Sequence, residues 1–174
     1  LIMMKQKHFL FVGFCLLSLL LSACYTLSGS SISRDWDTIY VATFPNRAPL
    51  QNPNLSQEFT IELQDIFRNR TKLNLTDNED ADLIIEGEIN NYQVASTQIQ
   101  STTQGEQAAK SRLTIGVSVR YINNKDESKS FNKSYSDFEE FDGTQTLSEV
   151  EDALVPEIVN RLKQQIFNDI AMDW

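Results

Sequence analysis

Histidine is almost missing from this 174-residue chain: His8 is the only one, and it precedes a long apolar run. Cysteine is nearly as scarce, with Cys15 and Cys24 alone. Past residue 24 the chain therefore offers no imidazole and no further thiol, which excludes histidine triads, cysteine nucleophiles and ordinary zinc sites from that portion. Glycines number six, and none forms a phosphate-cradling loop. Positive charge is also short, with 15 basic residues against 24 acidic ones. A surface of that sign repels phosphate backbones, so nucleic acid is disfavoured as a partner.

The chain does contain an apolar run from Phe9 to Ala23 that stops at a cysteine, "LLSLLLSAC" over 16–24. It is shorter than the ~20 residues that a helix needs to cross a bilayer. Lys5 and Lys7 stand before it and Ser22 and Ala23 close it, which is the layout of a secretory signal. Leu21-Ser22-Ala23-Cys24 resembles the bacterial lipobox, so cleavage is expected between Ala23 and Cys24, with an S-diacylglycerol and an N-acyl group on Cys24. One acyl chain holds a membrane only marginally, whereas two or more anchor it stably. Apart from this covalent lipid no cofactor is expected. Cys15 would leave with the leader, so Cys24 would be the last cysteine and no intramolecular disulfide could form. Losing Lys5 and Lys7 leaves 13 basic residues against 24 acidic ones, a formal charge of −11. The expected organisation is a cleaved signal over 1–23, a lipidated, Ser-rich tether over 24–35, and one domain over 36–174.

Within that domain "DTIYVATF", 37–44, reads as an inner strand because β-branched and aromatic residues fall on both faces. "PNRAPLQNPN", 45–54, holds three prolines and three asparagines and reads as a loop. Leu55, Phe59, Leu63, Ile66 and Phe67 keep helical spacing, which predicts a helix over 55–70 with Asn54 and Gln57 as its capping pair. A short strand at 73–76 and an acidic turn at 77–82 precede the strand starting "LIIEGEI". Its apolar phase slips after Asn90-Asn91, which predicts a bulge. Residues 112–121 alternate strictly, with Leu113, Ile115, Val117, Val119 and Tyr121 on one face. Their expected partner is 128–138, with Phe131 and Tyr135 inward. A closing helix starts near Thr146 or Ser148, with Thr146 and Glu149 as a capping box; Pro156 should kink it or delay its start to Val155. The result is an α+β two-layer sandwich: four or five mostly antiparallel strands with two helices packed on one face, the opposite face polar.

The carboxylate clusters have plain explanations. "DNEDAD", 77–82, lacks the glycine and terminal glutamate of an EF-hand and reads as a solvated turn. Glu86 and Glu88 share a strand face at a spacing that any i, i+2 pair meets. "VASTQIQSTTQGEQAAK", 94–110, is rich in Ser, Thr and Gln with one acid and one base; it reads as a loose connection or as a hairpin tip that orders on a partner.

"DTIYVATFPNRAPLQNPNLSQEFTIELQDIFRNRTKLNL", "ADLIIEGEINNY", "SRLTIGVSVRY" and "LSEVEDALVPEIVNRLKQQIFNDI" resemble the lipopolysaccharide-assembly lipoprotein family of the LptE type. The specific parts are the loop "FPNRAPLQNPNLSQ" and the pattern SxVEDxL at the start of the last helix. The resemblance implies an outer-membrane lipoprotein on the periplasmic side, with two helices on a four-stranded sheet. It would plug a β-barrel translocon of the LptD type and help deliver lipopolysaccharide to the surface, without an enzymatic step. The polar strand face carrying Arg112, Thr114, Ser118 and Arg120 suits a polar barrel lumen. Lys110, Arg112 and Arg120 are candidates for partner or lipid contact by charge and location, and they equally suit cross-strand pairing with acids. Arg47 is a further candidate, on a loop whose Asn and Pro content serves first to shape it. A periplasmic adaptor that activates a peptidoglycan synthase is the alternative, disfavoured by a tether of only about ten residues. A carboxylate hydrolase has nothing in its favour beyond the acid count.

Overall fold

The computed structural model describes residues 36–50, 52–97 and 109–172. The expected leader, Ala23, Cys24 and the tether lie outside these residues, as does the middle of the polar stretch 94–110.

The elements run β1 (Thr38–Val41), α1 (Leu55–Arg70), β2 (Asn74–Leu75), β3 (Leu83–Thr97), β4 (Lys110–Asn123), a 3-10 turn (Glu127–Lys129), β5 (Phe131–Asp142) and α2 (Leu147–Met172). The strands form one open five-stranded sheet in the order β2-β1-β3-β4-β5. β1 lies parallel to both β2 and β3, with α1 as the crossover that parallel neighbours require. The long pairs β3–β4 and β4–β5 are antiparallel, so most of the sheet is antiparallel as expected, although the sheet as a whole is mixed.

Both helices cover one face. Their buried side chains, Leu55, Phe59, Leu63 and Phe67 on α1 and Ile158, Leu162, Ile166 and Ile170 on α2, meet Ile85, Ile89, Ile115 and Val117 of the sheet in one core. The predicted bulge is present: the β3–β4 register shifts between Ile89 and Asn91. Strand alternation alone would turn Tyr92 to the open face, and the extra residue returns it to the core, where it is 1% exposed.

β1 is shorter than its sequence suggests because Phe44 leaves the strand direction to enter the core. Its backbone groups are then met by α1: Phe44 N–H donates to Thr60 Oγ1 at 3.0 Å, and Ser56 Oγ donates to Phe44 O at 2.7 Å. Gly87 makes the room. A Cβ there would lie 2.0 Å from Ser118 O and 2.7 Å from Phe44 Cε1.

The capping of the first helix differs from expectation. Asn54 is already helical (φ −92°, ψ −18°) and makes no side-chain cap, so it cannot serve as the residue before the first turn. Asn52 takes the role across Pro53, its Oδ1 accepting from Asn54 N at 2.9 Å and Leu55 N at 3.1 Å. The second helix starts at Leu147, as expected, and runs on through Pro156, so its start is not delayed to Val155. At its start Glu149 Oε2 accepts from Thr146 N at 2.7 Å, which is the glutamate half of the expected box.

Candidate functional site

With the helices on one face, the other face of β3, β4 and β5 is uncovered. Alternation places on it Glu86, Glu88, Gln93 and Ala95 of β3, the even residues from Lys110 to Arg120 of β4, and Asn132, Ser134, Ser136, Phe138 and Glu140 of β5. The sequence candidates Lys110, Arg112 and Arg120 all fall here.

Register explains what they do. Arg120 stands directly opposite Glu86, with 2.9 Å between Nη1 and Oε1. Arg112 stands directly opposite Glu140, 2.6 Å between Nη2 and Oε1, and Lys110 approaches the same carboxylate at 3.7 Å. The Arg112 hydrogen bond is the main reason that the Glu140 carboxyl sits below its ordinary pKa, with the charges of Arg112 and Lys110 adding to it. Cross-strand pairing is therefore the local role of these basic residues. Lys110 and Arg112 are brought together, whereas Arg120 lies about 27 Å from Arg112 along the strand.

The Arg112 guanidinium also stacks on Phe138, 3.9 Å from the ring centroid, and its Nε is buried without a hydrogen-bond partner among the described residues. Phe138 is 44% exposed on this face. It was not singled out in the sequence; its position on the polar phase of β5 was the available signal.

Between these charged ends the face is lined by uncharged polar groups. Asn90 Nδ2 donates to Ser118 Oγ at 2.6 Å, and Ser118 and Ser134 hydroxyls lie 3.4 Å apart. A shallow depression of about 610 Å³ opens at the Arg120–Glu86 end, bordered also by Glu88, Ser118, Asn132, Ser134 and Lys133, the last of which is paired with Asp169. Glu88 has no ion-pair partner among the described residues, so a free anion meets an uncompensated negative charge there.

Arg47 is not part of this face. It sits exposed in the loop after β1, where its backbone N–H donates to Ile89 O at 2.7 Å. The same loop makes a connection that the sequence did not reveal. Glu151 Oε1 accepts from Asn52 Nδ2 at 2.9 Å and also from the hydroxyl of buried Tyr92. Burial, followed by this carboxylate, raises the Tyr92 pKa above its ordinary value. Asn52 belongs to the loop "FPNRAPLQNPNLSQ" and Glu151 to SxVEDxL, so the two distinctive segments of the chain meet at one carboxylate.

In the acidic turn, Asp77, Glu79 and Asp80 are exposed as expected, but Asp82 is not merely solvated. Its Oδ2 accepts from Asp37 N at 2.8 Å and Thr38 N at 3.1 Å, and Lys125 lies 3.0 Å from Oδ1. Among the described residues no group of histidine, cysteine or carboxylate side chains is arranged to hold a metal, and no helix is long and apolar enough to cross a membrane.

The architecture defines an α+β domain with an open polar sheet face, whose charged groups are largely committed to one another. The family model described as LptE, lipopolysaccharide-assembly, matches residues 36–170, and the chain belongs to that family. No curated protein matches the chain significantly. Among solved structures, a neuraminyllactose-binding hemagglutinin homolog from Helicobacter pylori shares the fold at 12% identity and a TM-score of 0.51, covering 86% of this chain and 88% of that one. Lipoprotein B from Nitrosomonas europaea aligns at 15% identity and a TM-score of 0.48, covering 79% and 84%. A minor lipoprotein from Acinetobacter baumannii aligns at 13% identity and 0.47, covering 79% and 94%.

Proposed function

We propose that this protein is a lipoprotein anchored through Cys24 in the outer membrane on its periplasmic side. There it assembles with a β-barrel translocon of the LptD type, plugs it, and supports delivery of lipopolysaccharide to the cell surface. Residues 1–23 would be removed, 24–35 would tether, and the domain from residue 36 would seat in the barrel without performing a catalytic step. The observation that carries this reading is an uncovered, polar sheet face in a chain of the lipopolysaccharide-assembly family. Barrel lumens are polar, and a surface buried against one must keep its hydrogen-bonding groups satisfied. Ser118, Ser134, Asn132 and the paired Arg120–Glu86 offer such groups with little net charge to desolvate, and Glu88 beside them calls for a donor from the barrel wall.

Capture of the lipidated protein from detergent-solubilised membranes should recover a large β-barrel protein in near-equal amount. Depletion should lower both the folded barrel and surface lipopolysaccharide. Normal levels of both on depletion would refute the reading; a peptidoglycan synthase recovered in place of a barrel would support the adaptor role instead. Arg120→Glu places two acids opposite each other on the open face and should reduce barrel recovery more than it reduces thermal stability.

A further inference from the structure

The long free edge of the sheet is β5, and the direction of its backbone groups can be assigned residue by residue. Phe138 N–H donates to the Asp137 carboxylate at 2.7 Å, and Phe138 O accepts from Arg161 Nη2 at 2.9 Å. Both groups of Phe138 therefore point away from β4. In an antiparallel pair this direction alternates, so the groups of Asn132, Ser134, Ser136 and Glu140 also point off the edge. Those of Asn132, Ser134 and Ser136 have no hydrogen-bond partner among the described residues. The opposite edge, β2, offers only two residues.

An exposed edge is a template for another strand, and proteins that avoid pairing commonly guard it with charge. Here the guard stands at one end, where Arg161 closes Phe138. Over residues 132–136 the side chains of the outward-directed positions are small and uncharged. The charges that flank them are committed to α2, Lys133 to Asp169 and Asp137 to Arg161 at 3.2 Å. An added strand therefore meets little net charge, which favours a neutral occupant.

The edge is also continuous with the surface assigned above to the barrel, because Asn132 and Ser134 border the depression on the open face. A partner that covers that face reaches this edge, and each outward N–H or C=O that it shields from water must then find a partner or bear the full cost of desolvation. A strand supplies donors and acceptors at the required spacing. The wall strands of a closed barrel already pair with one another, so the occupant is a segment that leaves the wall.

We propose that an extended, uncharged segment of the barrel partner, folded into its lumen, adds to the five-stranded sheet along residues 132–136 of β5 and stops where Arg161 closes Phe138. Main-chain hydrogen bonds hold it, and Ser134 and Ser136 set small polar residues against it. One copy of this chain suffices. The inference rests on the barrel reading and names a second contact beside the open face.

Hydrogen exchange of the full lipidated protein in detergent, alone and in complex with the β-barrel protein captured from solubilised membranes, tests it. Alone, the Asn132, Ser134 and Ser136 amides should exchange fast, while those of Lys133, Tyr135 and Asp137, held by the β4 ladder, exchange slowly. In the complex the first three should become slow and Glu140, beyond the closed residue, should stay fast. Ser134→Pro removes an outward N–H without touching the β4 ladder, a substitution that edge strands accept, and should weaken barrel capture about tenfold with the melt of the free protein close to wild type. Ser134→Ala keeps the N–H and should capture the barrel as wild type does. A captured barrel with the three amides still fast, or capture indifferent to Ser134→Pro, overturns the proposal and leaves the barrel reading standing. Failure of the wild-type chain to capture any barrel removes both. Slow exchange that develops in the free protein as its concentration rises makes a second copy the occupant and also overturns the proposal.

Discussion

Replacing Asp82 with asparagine should remove a pH-dependent clamp at the start of the sheet. The carboxylate joins three segments: it stands just before β3, accepts the Asp37 and Thr38 amides where β1 begins, and meets Lys125 of the turn after β4. The Asp37 amide is the largest cause of a pKa lowered from 3.8 to about 2, with desolvation opposing it and Lys125 and the Thr38 amide reinforcing it. Lys125 is 51% exposed, so the pair is screened and the backbone donors carry most of the effect. A depression of nearly two units corresponds to roughly 2 kcal/mol of stability. Because the folded pKa is depressed, that contribution is complete above the unfolded value near 3.8 and disappears as pH falls toward 2. Urea unfolding at pH 7, 4 and 2.5 should therefore show wild type ahead of Asp82→Asn by roughly 2 kcal/mol at pH 7, with most of the gap gone at pH 2.5. A gap that stays constant across this range would refute the assignment, since a purely steric effect has no reason to titrate.

Three further outcomes follow from packing and backbone geometry. Gly87→Ala brings a Cβ to 2.0 Å from a backbone oxygen that the β3–β4 ladder fixes, so unfolding free energy should drop by about 3 kcal/mol or more, at the upper end of overpacking costs. Pro156→Ala restores the N–H that the carbonyl of Asp152 lacks inside α2, and should raise the melting temperature, by an amount equivalent to about 1–3 kcal/mol. Arg112→Ala removes the main cause of the depressed Glu140 pKa and uncovers Phe138; NMR titration should show the Glu140 carboxyl moving up toward its ordinary value.

Much of the architecture follows from periodicity. The Leu55–Phe67 spacing reproduces the buried stripe of α1, and the phase slip at Asn90-Asn91 marks a bulge that two-residue alternation cannot hide. Local chemistry failed where two candidates compete. Asn52 and Asn54 are both able to cap α1, and only the backbone angles decide that Asn54 is already inside the first turn. "EEFD", 139–142, is too acidic to suggest that the strand continues past Phe138, yet Lys110 and Arg112 across the ladder neutralise Glu140 and extend the pairing to Asp142. The basic candidates were legible as a set on one face. Their partners were not, because register between β3, β4 and β5 is a long-range property.

The meeting of Asn52, Tyr92 and Glu151 bears on how the two distinctive segments should be interpreted. Segments 99 positions apart that share a carboxylate are specified by each other, so their sequence pattern does not require a ligand to explain it. The energetics can be separated by a cycle. Tyr92→Phe removes one donor while Asn52 still holds Glu151, at a cost of about 1 kcal/mol. Glu151→Ala leaves a buried hydroxyl and the Asn52 amide without their acceptor, a loss of about 2–3 kcal/mol. In the double variant no hydroxyl remains to be stranded, so it should be no less stable than Glu151→Ala alone. Strict additivity of the two single losses in urea unfolding would show that Tyr92 and Glu151 are not coupled, and the segments would then need another explanation. If coupling is found while barrel capture by Tyr92→Phe is undiminished, the loop and the start of α2 serve to hold the domain together, and the partner contact belongs on the open sheet face.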